Sequence, residues 1–178
     1  DYVRELCQAG TYDRSIWDTA PLGQTLELLR VPRLLREHLR PAPRIYSRFR
    51  LGERSRRPLL EIIRGWEELS QLDLDFLRRE VGFVMVLIPE ALAVQQLERA
   101  FQELGRSGLT VHGLIVNGVV RPEEAVSEFW RRRAEQQRRY LEFVRRSYGD
   151  LAVRVVPLFA EEPTGVDRLE RVRAALFG

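Results

Sequence analysis

Apolar residues along the chain fall into two rhythms, short unbroken runs and longer stretches at helical spacing. Residues 82–88 form one unbroken run and predict a strand buried on both faces. Residues 91–107 place Val94, Leu97, Phe101 and Leu104 on one helical face, and Gly108 ends that helix. Residues 110–116 predict a second strand. A long helix is expected over 122–148, with Val126, Phe129, Trp130, Tyr140, Leu141 and Val144 as its apolar stripe. Residues 151–157 predict a last strand, and 166–177 a last helix with Val166, Leu169, Val172 and Leu176 facing inward. Near the start, residues 14–20 predict a short buried strand, followed by a turn at Pro21-Leu22-Gly23. A helix over about 24–30 should stop at Pro32, because proline lacks an N–H and clashes with the preceding turn. Residues 33–80 carry helical spacing only, through Leu34, Leu35, His38 and Leu39 and then Leu59, Leu60, Ile62, Ile63, Trp66 and Leu69.

Strands separated by helices imply a parallel sheet with right-handed crossovers. The expected fold is therefore α/β, a parallel sheet with flanking helices, with a helical insertion over about 33–80. The whole of 1–178 is expected to be one partial domain.

Composition narrows the chemistry. The chain has 178 residues, of which 44% are hydrophobic, enough for a sizeable core. All 29 basic residues are Arg, so no Lys exists to reach the β- and γ-phosphates of a nucleotide. The single cysteine, Cys7, closes no internal disulfide and completes no thiolate cluster. It reads as a small hydrophobe. No apolar run approaches the ~20 residues of a membrane helix, and a cytoplasmic setting is expected. The Arg-rich stretch from Arg44 to Arg57, with Tyr46 and Phe49, has neighbouring Glu residues and reads as a solvated face. Nucleic acid is not an expected partner. His38 and His112 lack metal-ligand spacing.

The segment richest in chemistry is Asp18-Thr19-Ala20-Pro21-Leu22-Gly23-Gln24-Thr25-Leu26. An Asp at the carboxyl end of a parallel strand lies where α/β proteins bind ligands. It can hold a Mg²⁺-bound water, while a Gly N–H in the following turn can face a γ-phosphate. Taken alone, Asp18 also reads as a turn cap.

The full string resembles the switch II segment of the ArsA arsenite-pump ATPases and the related tail-anchored-protein targeting ATPases, Asp-Thr-Ala-Pro-Thr-Gly-His-Thr. Leu22 and Gln24 replace the usual Thr and His. The resemblance continues through Phe-Val-Met-Val-Leu-Ile-Pro-Glu at 83–90, through Gly-Leu-Ile-Val-Asn at 113–117, and through Arg133, Gln137, Tyr140 and Leu141. Pro157-Leu158, Glu162 and Gly165 resemble the loop that closes over adenine in that family. The resemblance implies the C-terminal part of a P-loop NTPase domain of the ArsA/MinD type. It implies that Asp18 is catalytic and meets Mg²⁺ through water. It also implies that Thr19, Pro21, Gly23, Asn117, Pro157, Leu158 and Phe159 bind nucleotide. Asn117 alone also reads as a turn residue, and 157–165 also as an ordinary connection.

The family's Gly-x-x-x-x-Gly-Lys-Ser/Thr loop is absent, so this chain alone is not expected to hydrolyse ATP. The other half is expected upstream, or in a separate chain. ATP and Mg²⁺ are the implied cofactors of the intact protein. The targeting ATPases share zinc across a dimer through Cys-x-x-Cys, but the matching positions here are Ser127 and Trp130, so no zinc is expected. A homodimer is implied for the intact protein, with a membrane transporter or a client protein as possible partner. One Met argues against a client groove, although Leu34, Leu35, Leu59, Ile63 and Trp66 could build a modest one. Two other readings stand beside the ATPase switch. One is a degenerate, non-catalytic partner-binding remnant. The other is a ParA/MinD-like partitioning ATPase, which suits the Arg-rich insertion but not the Asp-Thr-Ala-Pro string.

Overall fold

The computed structural model describes residues 2–19, 22–41, 44 and 53–178, with side chains for all of these except 22 and 53–60. It divides into two units, Asp1–Val81 and Gly82–Gly178.

The first unit is helical among its described residues. It contains α1 (Tyr2–Gln8), α2 (Leu22–Leu39) and α3 (Glu53–Arg79). Helices α2 and α3 pack together. Leu26 and Leu39 of α2 and Ile63 and Leu74 of α3 are buried. Arg4 of α1 donates to Asp73 of α3 at 3.0 Å. Helix α2 does not stop at Pro32 but runs through it. An interior proline costs a helix about 3 kcal/mol, and tertiary packing on both sides of the break overrides that local preference.

Residues 14–19 are not a buried strand. Arg14 to Thr19 has no regular structure, Ile16 is 98% exposed and Trp17 is 64% exposed. A strand persists only where neighbouring backbone takes its hydrogen bonds, and no described strand pairs with this one. Ala20 lies outside the described residues.

The second unit is α/β. Its order is β1 (Phe83–Leu87), α4 (Ala91–Arg106), β2 (Val111–Val119), a 3₁₀ turn (Pro122–Glu124), α5 (Glu128–Tyr148), β3 (Ala152–Pro157) and α6 (Val166–Phe177). The sheet is parallel throughout, in the order β1-β2-β3. Register pairs Met85 with Leu114 and Leu114 with Val153, and likewise Leu87 with Val116 and Val116 with Val155. One sheet face thus carries an apolar ladder. It meets Val94 and Leu97 of α4 and Val144 of α5 in the core. Tyr148 and Phe101 stack beside it at 4.8 Å.

The other face differs from the expectation of two-sided burial. Helix α6 packs along β3, and Arg154 donates to the carbonyl of Leu176 at 2.9 Å. Val84 and Val86 on the same face of β1 are 54% and 63% exposed. A continuous apolar run reports hydrophobicity on both faces, not the presence of a cover for each.

Two helices also depart from the pattern. Helix α5 starts at Glu128 rather than 122. Ser127 is its N-cap and accepts a hydrogen bond from the N–H of Trp130. Its first apolar residues are therefore outside the core, with Val126 84% and Phe129 65% exposed, whereas Val144 is buried. In α6, Val166 and Leu169 are exposed and only Val172 and Leu176 are half-buried.

Candidate functional site

Parallel strands carry their carboxyl ends to one edge, and loops leaving that edge are the usual ligand-binding place of α/β sheets. Here the edge is built from the ends of β2 and β3. Strand β2 finishes Asn117-Gly118-Val119, and Val119 pairs with Pro157 at the end of β3. Leu158 then donates its N–H to the carbonyl of Val119 at 2.8 Å. Asn117 is exposed, so its amide is free to face a ligand, while Pro157 is buried and acts through backbone position.

The exit from β2 is shaped by Gly118, whose φ of 71° lies in the left-handed region that glycine adopts without a Cβ penalty. Helix α5 holds this exit. Gln137 is 3% exposed. Its side-chain oxygen accepts from the N–H of Val120 at 2.8 Å, and its amide donates to the carbonyl of Gly118 at 3.1 Å. One turn earlier, Arg133 forms an ion pair with Glu90, just beyond the end of β1.

Leu158 and Phe159 line a cavity of about 640 Å³ together with Ala160, Arg121, Glu124 and Arg171. Arg121 donates to Glu124 at 3.2 Å. The lining thus carries two guanidinium groups, one of them paired, and one carboxylate. Asn117 and Pro157, at the ends of β2 and β3, are not among its lining residues.

Asn117, Pro157, Leu158 and Phe159 are thus brought to one edge of the second unit. Asp18, Thr19, Pro21 and Gly23, which the family resemblance singled out, belong to the first unit. Asp18 and Thr19 are exposed in the irregular segment, and Gly23 is the second residue of α2. The N–H of Gly23 is one of the first four of the helix, which lack an intrahelical acceptor. Pro21 lies outside the described residues. Among the described residues no three His, Cys, Asp or Glu side chains gather as a metal site. A lone Asp18 carboxylate nevertheless suits Mg²⁺, which keeps most of its waters and is held largely by substrate phosphates.

Of the residues considered for a client groove, Leu34 and Trp66 are exposed at 54% and 51%, Leu35 is at 37% and Ile63 is buried. The side chain of Leu59 is outside the described set, as is most of the Arg-rich stretch. No described helix is long and apolar enough to cross a membrane.

Sequence reasoning placed Gln137 in a family motif without giving it a role. The signal was available, because Gln137 is a polar residue on the helical face it shares with Tyr140, Leu141 and Val144. Arg121 and Arg171 were missed, since only the turn after β2 and the packing of α6 bring them to the loop of Leu158.

A parallel sheet flanked by helices, with its chemistry-bearing loops gathered at the carboxyl edge, is the architecture of P-loop NTPases. Within that class the chain belongs to the anion-transporting ATPase (ArsA ATPase) family, which it matches over residues 1–178. It is 32% identical over 177 residues to the ATPase GET3 of Chaetomium globosum, covering 90% of this chain and 52% of that protein. It is 33% identical over 184 residues to the ATPase GET3A of Arabidopsis thaliana, covering 93% and 51%. It is 31% identical over 177 residues to the ATPase get3 of Neurospora crassa, covering 90% and 52%. The chain spans about half the length of the curated relatives it matches.

Proposed function

We propose that this chain is the base-binding and switch-bearing part of an ATP-hydrolysing conformational switch. The observation that carries this reading is the convergence of Asn117 and the loop of Leu158 at adjacent strand ends, joined by the bond between Leu158 and Val119. An exposed amide can both donate to and accept from an adenine edge. The backbone of 157–159 and the side chains of Leu158 and Phe159 supply an apolar wall beside the charged residues of the cavity. In this reading Asn117, Pro157, Leu158 and Phe159 hold adenine. The family resemblance supports Thr19, Pro21 and Gly23 as nucleotide-binding and Asp18 as meeting Mg²⁺ through a water. ATP and Mg²⁺ are the cofactors, and zinc has no role. When bound, Mg²⁺ neutralises phosphate charge; Gly23 contributes an N–H at the start of α2, whose position then depends on whether the terminal phosphate is present. Residues 1–178 act as one part of a larger domain, with the helices of 33–80 carrying the nucleotide state to a partner. The intact protein works as a cytoplasmic homodimer, coupled to anion transport or to protein targeting.

The test is thermal protection by Mg-ATP. Wild-type chain gains melting temperature with ligand concentration, as any ligand binding only the folded state requires, and Asn117→Ala loses most of that gain. Equal melting temperatures with and without millimolar Mg-ATP would remove the reading.

A second reading, a partner-binding chain without nucleotide, is favoured by the apolar surface of the helical unit. Leu28, Val31, Leu34, Ile62, Trp66 and Leu72 are each at least half exposed. Exposed apolar clusters of this kind mark interaction surfaces. Quenching or blue shift of Trp66 fluorescence by an apolar helical peptide, with no response to ATP, would favour it over the switch.

A further inference from the structure

Three consecutive residues at the end of β2 have their backbone groups fixed by two different elements. Gln137 of α5 accepts from Val120 and donates to Gly118. Leu158 of the loop after β3 donates to the carbonyl of Val119, which lies between them. The orientation of the Gln137 amide follows from chemistry, because an N–H must face the oxygen and a carbonyl must face the nitrogen. Both polar ends of a nearly fully buried side chain are therefore spent on one turn of backbone. On either side of that turn lie Asn117, one residue before Gly118, and Arg121, one residue after Val120, which lines the cavity.

We infer that Gln137 is a positioning residue for base recognition. By holding Gly118 and Val120 it sets where the amide of Asn117 points, where Arg121 enters the cavity and how Leu158 docks on Val119. The helix that carries it is anchored a second time at the same edge, through Arg133 to Glu90. Leucine at 137 would fill the same space and leave the buried N–H of Val120 and the part-buried carbonyl of Gly118 without this partner, which the backbone relieves by shifting. The consequence is lost discrimination between bases rather than lost folding. This inference rests on the proposed adenine site for its functional consequence, and on the structure alone for the bond itself.

The experiment compares wild type, Gln137→Leu, Gln137→Glu and the core control Val144→Ala. The competition of ATP and GTP against a fluorescent ATP analogue measures base selectivity, and amide hydrogen exchange at Val120 measures the bond. In Gln137→Leu the ATP-over-GTP preference falls about tenfold and Val120 exchanges at least about tenfold faster than in Val144→Ala, the scale expected for one buried hydrogen bond. In Gln137→Glu, burial favours the neutral carboxylic acid, which keeps an acceptor for Val120 and has a single O–H to offer Gly118 in place of the amide. This variant retains protection at Val120 and part of the selectivity, and it serves if the leucine variant does not fold. Equal loss of selectivity in Val144→Ala would reduce Gln137 to a structural residue and overturn the inference. So would unchanged exchange at Val120 in Gln137→Leu. If the wild-type chain binds neither nucleotide, the adenine reading fails, and Val120 exchange alone decides whether Gln137 holds the turn.

Discussion

Gly118 shows how one residue connects conformation to the candidate site. Its φ of 71° is costly for any residue with a Cβ, yet open space surrounds the position where a Cβ would be. Gly118→Ala is therefore expected to destabilise by conformation alone, by roughly 1–2 kcal/mol, without a clash to relieve. Urea denaturation measures this, and a cost near zero would mean that the turn relaxes away from the left-handed region. Leu114 is a contrasting case, fully buried in the ladder between Met85 and Val153. Leu114→Ala should cost about 2–5 kcal/mol through lost burial and the cavity left behind, measured by the same method. Asn117 was legible in the sequence as the end of a strand, and Leu158 as the loop after another. That they belong together came from the family resemblance alone, because residue spacing does not give strand register, a tertiary property. Gln137 was legible as a member of the motif with Arg133, Tyr140 and Leu141, but which backbone groups satisfy it depends on where β2 turns.

At the scale of elements, the longer periodic segments were readable and their ends less so. Helix α4 and strands β1 and β3 fall where the apolar rhythm puts them. Helix α5 begins six residues late because Ser127 caps it after the separate turn at Pro122, and capping chemistry is a local signal that hydrophobic spacing ignores. Helix α2 passes through Pro32 because packing outweighs propensity. Pro32→Ala should then stabilise the first unit by up to about 3 kcal/mol, seen as a higher denaturation midpoint, and a fall in stability would show that the proline shapes a needed bend. Helix α5 also carries an exposed network. Arg138 lies between Glu135 and Glu142, and its hydrogen bond and charge hold the carboxyl of Glu135 below its usual range. Further along the same helix, burial and then the charge of Glu98 push the phenol of Tyr148 upward. A raised folded-state value stabilises the fold below the unfolded value of about 10 and is lost as pH rises above it. Tyr148→Phe should therefore flatten the loss of stability above about pH 10, in thermal melts over the alkaline range. An unchanged slope would place the alkaline sensitivity elsewhere.

For the molecule as a whole, alternating strands and helices gave the class of fold directly from sequence, and membership of the ArsA ATPase family agrees with it. The segment around Asp18 could not be placed the same way. Its apolar residues predict a strand, yet among the described residues it has no strand to pair with, and Ile16 and Trp17 stand exposed. The exposed side chains of Val84 and Val86 show the same property on β1: apolar surface written for a cover that the described residues do not supply. In the proposed switch, Asp18→Asn in the intact protein is expected to lower ATP turnover by about 10²-fold or more while leaving the ATP affinity of Asn117 and its neighbours in place. Steady-state turnover beside equilibrium binding separates the two effects, and equal loss of both would count against a role confined to the phosphate end.

The central claim is that the carboxyl edge of β2 and β3 receives adenine, and amide chemical shifts of the chain titrated with ATP and with GTP test it most directly. ATP-dependent shifts are expected at Asn117 to Arg121 and at Leu158 to Ala160, with weaker changes from GTP. Shifts confined to α2 and α3, or identical responses to both nucleotides, would contradict it.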